Sequence, residues 1–168
     1  MSLLPFKIRH IPELSSTNTF AIEEARRGAE EGLVVTTDYQ TSGRGKPGRQ
    51  WVSPRGKNLL FSLLLRPPLR SNQVPLLTQI ACRAVAKVLK DKYDIESVFK
   101  RPNDVMVHDK KICGTLVEAI SSPSSVDAVV IGVGLNVNAE LEELPDGAIS
   151  MHSFTEKGYH REEILAFI

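Results

Sequence analysis

Nine consecutive residues, Gly43-Arg44-Gly45-Lys46-Pro47-Gly48-Arg49-Gln50-Trp51, hold three glycines, three cations and the only tryptophan of the chain. Glycine opens backbone conformations closed to residues with a Cβ, and lets main-chain N–H groups converge on an anion as a concave nest. Arg44, Lys46 and Arg49 add charge, and an arginine grips a carboxylate or phosphate through two parallel hydrogen bonds. Empty, such a loop repels itself and costs about 1–2 kcal/mol per residue to order. The expectation is a disordered flap that closes over an anionic ligand. Taken alone, the nine residues fit a solvated basic turn equally well.

Three other stretches carry polar groups at telling spacing. If Val129 to Asn136 is a strand, Ile131, Val133 and Leu135 point one way while Gly132, Gly134 and Asn136 point the other. Glycine weakens a strand, so two at alternate positions imply that something lies close against it. Gly114, Leu116 and Glu118 share a parity in the same manner. Either strand alone could be making room for a helix; the two together, beside an anion loop, describe a flat ligand slot. Lys100 precedes Pro102-Asn103-Asp104, and Lys111 follows seven residues after Asp104. A tight hairpin over 104–111 brings Asp104 and Lys111 together across two strands. Asp104 is then a candidate to hold Mg²⁺ or orient a cation, and Lys111 to place a point charge on an anion. The plain alternative is a surface turn with an ion pair worth under ~1 kcal/mol. Ser16-Thr17-Asn18 has helix-capping chemistry, and a helix start also offers hydroxyls and N–H groups to a polar ligand.

The elements that must position these groups follow from periodicity. Lys7 to Leu14 alternates as a strand, and a helix over about 17–27 follows, with Phe20, Ala21 and Ala25 inward and Gly28 and Gly32 closing it. Leu33–Thr37 and 58–65 are short apolar strands joined by the basic loop. Apolar spacing over 76–89 predicts the clearest helix, with a structural role only. Ile95 to Lys100, then a hairpin of 105–107 with 111–120, then 126–136 continue as strands. Residues 139–158 read as acidic loop, and 161–168 as a helix start. The whole predicts an α+β fold, a mixed and mostly antiparallel sheet with helices on one face.

Composition bounds the function. The 168 residues, 42% hydrophobic and 24% charged, suit one globular domain that needs no disulfide or metal to fold. A net charge of +1 makes the basic loop a local feature and argues against a nucleic-acid-coating protein. Cys82 and Cys113 fall in apolar helical and strand patterns, as core residues. There is no low-complexity tract beyond the serine cluster at 121–125. No apolar run approaches membrane-spanning length and no targeting pattern opens the chain, so a cytoplasmic location and no membrane partner are expected.

Together these motifs resemble the biotin protein ligase (biotin–[acetyl-CoA-carboxylase] ligase) family. The loop is similar to its GRGRRGRxW motif, Lys100 to Glu118 to KWPNDxxxxxKKxxGxLVE, Ile131 to Asn138 to IGxGxNV, and Ser16-Thr17-Asn18 to its STN. The resemblance implies a fold like the catalytic core of class II aminoacyl-tRNA synthetases, the biotin/lipoyl ligase catalytic domain. It implies a reaction in which biotin and MgATP give biotinyl-5'-adenylate, then a lysine of a biotin carboxyl carrier domain takes the biotin and AMP leaves. By motif position, Lys111, Arg44 and Asp104 would be catalytic. Ser16, Thr17, Asn18, Gln40, Gly43, Arg44, Lys111, Gly114, Leu116, Gly132 and Gly134 would bind biotin, its ring and tail lying against the glycines. Arg44, Lys46, Arg49, Trp51, Lys100, Asn103 and Asn136 would bind ATP, and Asp104 with Asn136 would serve Mg²⁺.

Two departures stand out. Arg101 replaces the family tryptophan before Pro-Asn-Asp, and Lys46-Pro47 replaces arginines in the loop, which predicts a less tightly held adenylate. No winged helix precedes the core and no SH3-like C-terminal domain follows it, so the resemblance implies a catalytic domain without DNA binding. Exposed sheet edges could pair two copies, as relatives often do, though no residue demands it. The rival readings are a lipoate or octanoate ligase or transferase on the same fold, and a non-catalytic adenylate- or nucleic-acid-binding module.

Overall fold

A computed structural model describes residues 6–122 and 125–168, so positions 123 and 124 of the serine cluster lie outside the described residues. The elements, in order, are β1 (Lys7–His10), β2 (Glu13–Leu14), α1 (Thr17–Arg26), β3 (Leu33–Thr37), β4 (Tyr39–Gln40) and β5 (Leu59–Leu65). Then come α2 (Val74–Tyr93), β6 (Val98–Lys100), β7 (Asp104–Val107), β8 (Lys110–Ser121), β9 (Val126–Leu135), α3 (Met151–Thr155) and α4 (Arg161–Phe167). Seven strands form one sheet in the order β1-β3-β5-β9-β8-β7-β6, and β2 pairs with β4 in a small second sheet. Only β1 with β3 is parallel in the large sheet; every other pair there is antiparallel. The expected mixed, mostly antiparallel sheet is what forms.

Three expectations need correction. The strand read over 7–14 is two strands in different sheets: Ile11 N–H makes the last bond to β3, at Thr36 O, and the chain leaves the large sheet at Pro12 before pairing with β4. The stretch 139–158 is not all loop: Ser150 caps the five-residue α3, accepting from the Ser153 N–H. The helices, finally, do not share one face. On β5 and β9, Leu59, Phe61, Ile131, Val133 and Leu135 pack with Cys82, Val85 and Leu89 of α2, joined by Met151 and Ile164. Residues of the opposite parity, Leu64, Ala128 and Val130, pack with Val35 and with Ala21 and Ala25 of α1. Two-residue alternation makes both faces of β5 apolar, so each needs a helix. Helix α1 covers only part of its face. The rest, over Gly114 and Gly134, is left to non-helical chain.

Both cysteines are free and buried, as the apolar patterns implied. Among the described residues no helix is long and apolar enough to cross a membrane.

Helix α4 is tied to the start of the sheet by charge. Arg161 Nη2 reaches Asp38 Oδ1 at 2.9 Å, and His10 Nε2 lies 3.2 Å from Asp38 Oδ2. Burial alone would raise the Asp38 pKa, but the Arg161 hydrogen bond and charge, followed by those of His10, outweigh it and hold the carboxyl below its usual value. A depressed carboxyl contributes stability above its unfolded pKa and loses it as pH falls through the folded one. Asp38→Asn should therefore lower Tm at neutral pH and flatten the acid limb of stability between about pH 5 and pH 3, measured by thermal melts across that range. An acid limb as steep as wild type would remove Asp38 from this role.

Candidate functional site

The basic loop is an ordered turn, not a disordered flap. Trp51 N–H donates to Gly43 O at 3.0 Å, Gly45 N–H to Arg49 O at 3.1 Å and Arg49 N–H to Lys46 O at 2.8 Å, and Arg44 bridges Gln50 as in a β-ladder. Lys46-Pro47-Gly48-Arg49 is a β-turn with proline second and a left-handed Gly48 (φ 78°) third. That is the residue order a type II turn requires. Main-chain bonds thus satisfy the loop internally, which the charge count alone did not reveal.

The glycine rows on β8 and β9 are real, but the protein's own side chains occupy the space above them. A Cβ built on Gly132 would lie 2.1 Å from Asn18 Oδ1. One on Gly134 would meet the Trp51 ring at 2.4 Å, and one on Gly114 would meet that ring at 2.9 Å and Lys111 Cε at 3.0 Å. All three glycines nevertheless line the ligand space. The missing Cβ atoms admit Asn18 and Trp51, and the ligand space lies alongside them.

Asp104 and Lys111 meet as anticipated, Nζ to Oδ1 at 2.8 Å. They are diagonal rather than opposite: Asp104 pairs with Gly114 and Met106 with Lys111, with a bulge between Val105 and Met106. The Lys111 backbone is clamped on its other side, its N–H donating to Gly147 O and its carbonyl accepting from Ile149 N–H. The ammonium also lies 5.4 Å from the centre of the Trp51 ring, within cation–π range. At the start of α1, Ser16 caps the helix and Gln40 Oε1 accepts from Thr17 N–H at 2.8 Å.

These groups enclose one cavity of about 550 Å³, a size usual for small-molecule sites. Every residue expected in the site lines it except Gly43 and Lys100. Gly43 instead shapes the loop, since a Cβ there would strike Trp51 O at 2.2 Å. Lys100 is exposed on the edge strand β6, opposite Asp104 and on the same face of the sheet, and does not line the cavity. Asn136 touches the cavity but its amide is spent inside the protein. Its Oδ1 accepts from Asn58 Nδ2 at 3.2 Å, and its Nδ2 donates to Ile149 O at 3.1 Å. That bonding and 2% exposure make it a brace for the 145–149 segment at the cavity wall. Asn103 splits its roles. Nδ2 donates to Thr115 O at 2.8 Å, whereas the buried Oδ1 has no partner among the described residues.

A model of the biotin/lipoate A/B protein ligase family matches residues 11–136. The chain belongs to that family. It is 39% identical over 133 residues to the bifunctional ligase/repressor BirA of Bacillus subtilis (strain 168), a match covering 79% of this chain and 41% of that relative. It is 31% identical over 146 residues to the biotin–[acetyl-CoA-carboxylase] ligase of Mycobacterium tuberculosis, covering 84% of this chain and 53% of the relative. The chain therefore spans about half or less of the length of these two proteins. Among solved structures, Aquifex aeolicus biotin protein ligase in complex with biotin and ATP matches with a TM-score of 0.77 at 31% identity, covering 95% of this chain and 66% of that one. The Leishmania major enzyme in complex with biotinyl-5-AMP matches at 0.73 and 28%, covering 97% and 72%.

Two residues that hold this site together were given no role from the sequence. Ser62 is the one polar residue in the apolar run of β5, and its buried Oγ donates to Asn18 Oδ1 at 2.6 Å. Glu118 continues the Gly114–Leu116 row, and its carboxylate sits 2.6 Å from Arg44 Nη2. A lone hydroxyl in a greasy strand and a carboxylate in register with a glycine row were the available signals.

Trp51 is the only tryptophan, so its fluorescence reports this site alone. Gly134→Ala should expel the ring, costing about 1–3 kcal/mol as an overpacked contact, with a lower Tm and a red-shifted emission. An unchanged spectrum would mean that the ring is not seated on Gly134.

Proposed function

We propose that this chain activates biotin with MgATP to biotinyl-5'-adenylate and transfers biotin to a lysine of a biotin carboxyl carrier domain. The observation that carries this is the convergence of Lys111 and Arg44, with Lys46 and Arg49, on one cavity beside Trp51 and the start of α1. Joining a carboxylate to a phosphate requires that both charges be neutralised and both atoms aligned. The structures of relatives with biotin and ATP, and with biotinyl-5-AMP, support the same reading.

In the first step a carboxylate oxygen of biotin attacks the α-phosphorus of ATP, the bond to the β-phosphate breaks, and pyrophosphate departs. Lys111 and Arg44 face the two anions. Asp104, 2.8 Å from Lys111 Nζ, fixes where that charge stands. In the second step a carrier lysine amine attacks the activated carbonyl carbon and gives up a proton, and AMP leaves. Ser16, Thr17 and Gln40 are the polar groups suited to a ureido ring. The loop and Trp51 keep water from the mixed anhydride. For magnesium, no group of three or more His, Cys, Asp and Glu side chains gathers among the described residues. An ion held through phosphate oxygens needs only one or two carboxylates, and Asp104 on the cavity wall can supply one. When bound it would lower the negative charge that the carboxylate must approach. A cytoplasmic setting accompanies the reading, in keeping with two free, buried thiols.

The family also covers lipoate chemistry. Biotin is favoured because the relatives quoted above at 30% identity or more are named as BirA or biotin ligases. Titration calorimetry should show biotin binding and no lipoate binding; the reverse would move the substrate assignment. Biotin-dependent ATP–pyrophosphate exchange tests the first step without any carrier. Lys111→Ala should lower that exchange by roughly 10²–10³-fold, the scale of one preorganised charge-stabilising donor. A loss under about tenfold would take Lys111 out of its role.

A further inference from the structure

Glu118 does not line the cavity, yet both of its carboxylate oxygens hold residues that do. Oε1 lies 2.6 Å from Arg44 Nη2, and Oε2 accepts from Asn18 Nδ2 at 2.9 Å. Asn18 is itself fixed, its Oδ1 accepting from Ser62 Oγ at 2.6 Å and its Nδ2 donating also to Leu116 O at 3.1 Å. Ser62 is fully buried and Asn18 is 3% exposed. A chain of polar contacts therefore runs from the middle of β5, through the start of α1 and across β8, to the basic loop.

We propose that Glu118 is the positioning residue for Arg44, orienting its guanidinium at the cavity wall before any ligand arrives. Guanidinium carries five N–H donors in a rigid plane. Glu118 engages Nη2, and the remaining N–H groups have no hydrogen-bond partner among the described residues. Holding one edge of the plane aims the others at the cavity, so an anion is met by a donor already oriented. Because Asn18 fixes the carboxylate, the aim derives from the sheet and not from the loop. An unbraced exposed ion pair would be worth under about 1 kcal/mol and would orient little. The anion concerned, the biotin carboxylate or the α-phosphate, rests on the ligase reading above.

The test compares Glu118→Ala, Glu118→Gln, Arg44→Ala and the Glu118/Arg44 double alanine variant, each checked by thermal melt. In pyrophosphate exchange, Glu118→Ala should lower kcat about tenfold with KM for biotin changed less than about twofold, the pattern of an interaction realised in the transition state. Glu118→Gln keeps the shape but has one acceptor oxygen for two donors, so it should fall between wild type and alanine. Added to Arg44→Ala, Glu118→Ala should cost nothing further, the non-additivity of residues acting through one another. Additive losses, or an unchanged kcat, would overturn the proposal. Hydrogen–deuterium exchange of residues 43–51 without any ligand decides the anchoring separately: both single variants should speed loop exchange equally and the double no more. If wild type shows no biotin-dependent exchange, the ligase reading fails; if loop exchange ignores Glu118, the positioning role fails whatever the reaction.

Discussion

The site exists because β8 and β9 carry hydrogen where other residues carry Cβ. Glycine in a strand costs about 0.5–1 kcal/mol relative to alanine through lost backbone entropy, and here three of them lie on one face at the middle of the sheet. What they admit is specific. A tryptophan ring rests on Gly134 and Gly114, and an asparagine amide rests on Gly132. Bringing Trp51 to the sheet surface brings the end of the basic loop with it, and bringing Asn18 there fixes the start of α1. The two walls of the cavity are thus set by how closely they can approach one floor. Packing density leaves little slack, since a single added methyl at such a contact displaces the neighbour.

Charge in the site is arranged in two tiers. Lys111 and Arg44 each have a carboxylate partner, Asp104 and Glu118. Among the described residues Lys46 and Arg49 have no ion-pair partner. Partnered cations are held in place before a ligand arrives, which is what electrostatic preorganisation requires. Unpartnered cations near the mouth contribute attraction and cannot impose geometry. A carboxylate beside a cation weakens its net pull on an anion, so Asp104 and Glu118 make sense only if position matters more than raw field at those two points. Coupling two anions makes that demand, because the attacking oxygen and the phosphorus must be in line as well as neutralised.

Much of the sheet was legible because its strands are β-branched and apolar and their glycines fall at alternate positions. The hairpin partners Asp104 and Lys111 could be placed by counting across a turn. Three other features followed from tertiary packing that no local pattern carries. Parallel pairing of β1 with β3 depends on the crossover through α1, and helices on both faces depend on which parity of β5 meets which helix. The internal bonding of Asn136 depends on Asn58, 78 residues away in sequence. Gly132 and Gly134 correctly signalled a close approach, but a glycine cannot tell whether the approaching group is a ligand or the protein's own side chain. Asn18, far off in sequence, was the missing information.

The loop departures can now be weighed against each other. Lysine at position 46 keeps the charge but loses the planar fork, which removes a two-pronged grip on a phosphate. Proline at 47 sits where a type II turn favours it, and Gly48 takes the left-handed place that follows. A proline compatible with its site stabilises by about 0.4–1 kcal/mol through the conformations denied to the unfolded chain. The same restriction applies to a loop that would otherwise disorder when the site is empty. A turn already formed, stitched by Gly43, Gly45 and Arg49 backbone bonds, leaves less entropy to be lost when an anion is enclosed. One substitution weakens the contact and its neighbour reduces the cost of making it. Both effects are of the order of one hydrogen bond, so the pair is close to self-compensating, and the loop trades reach for readiness.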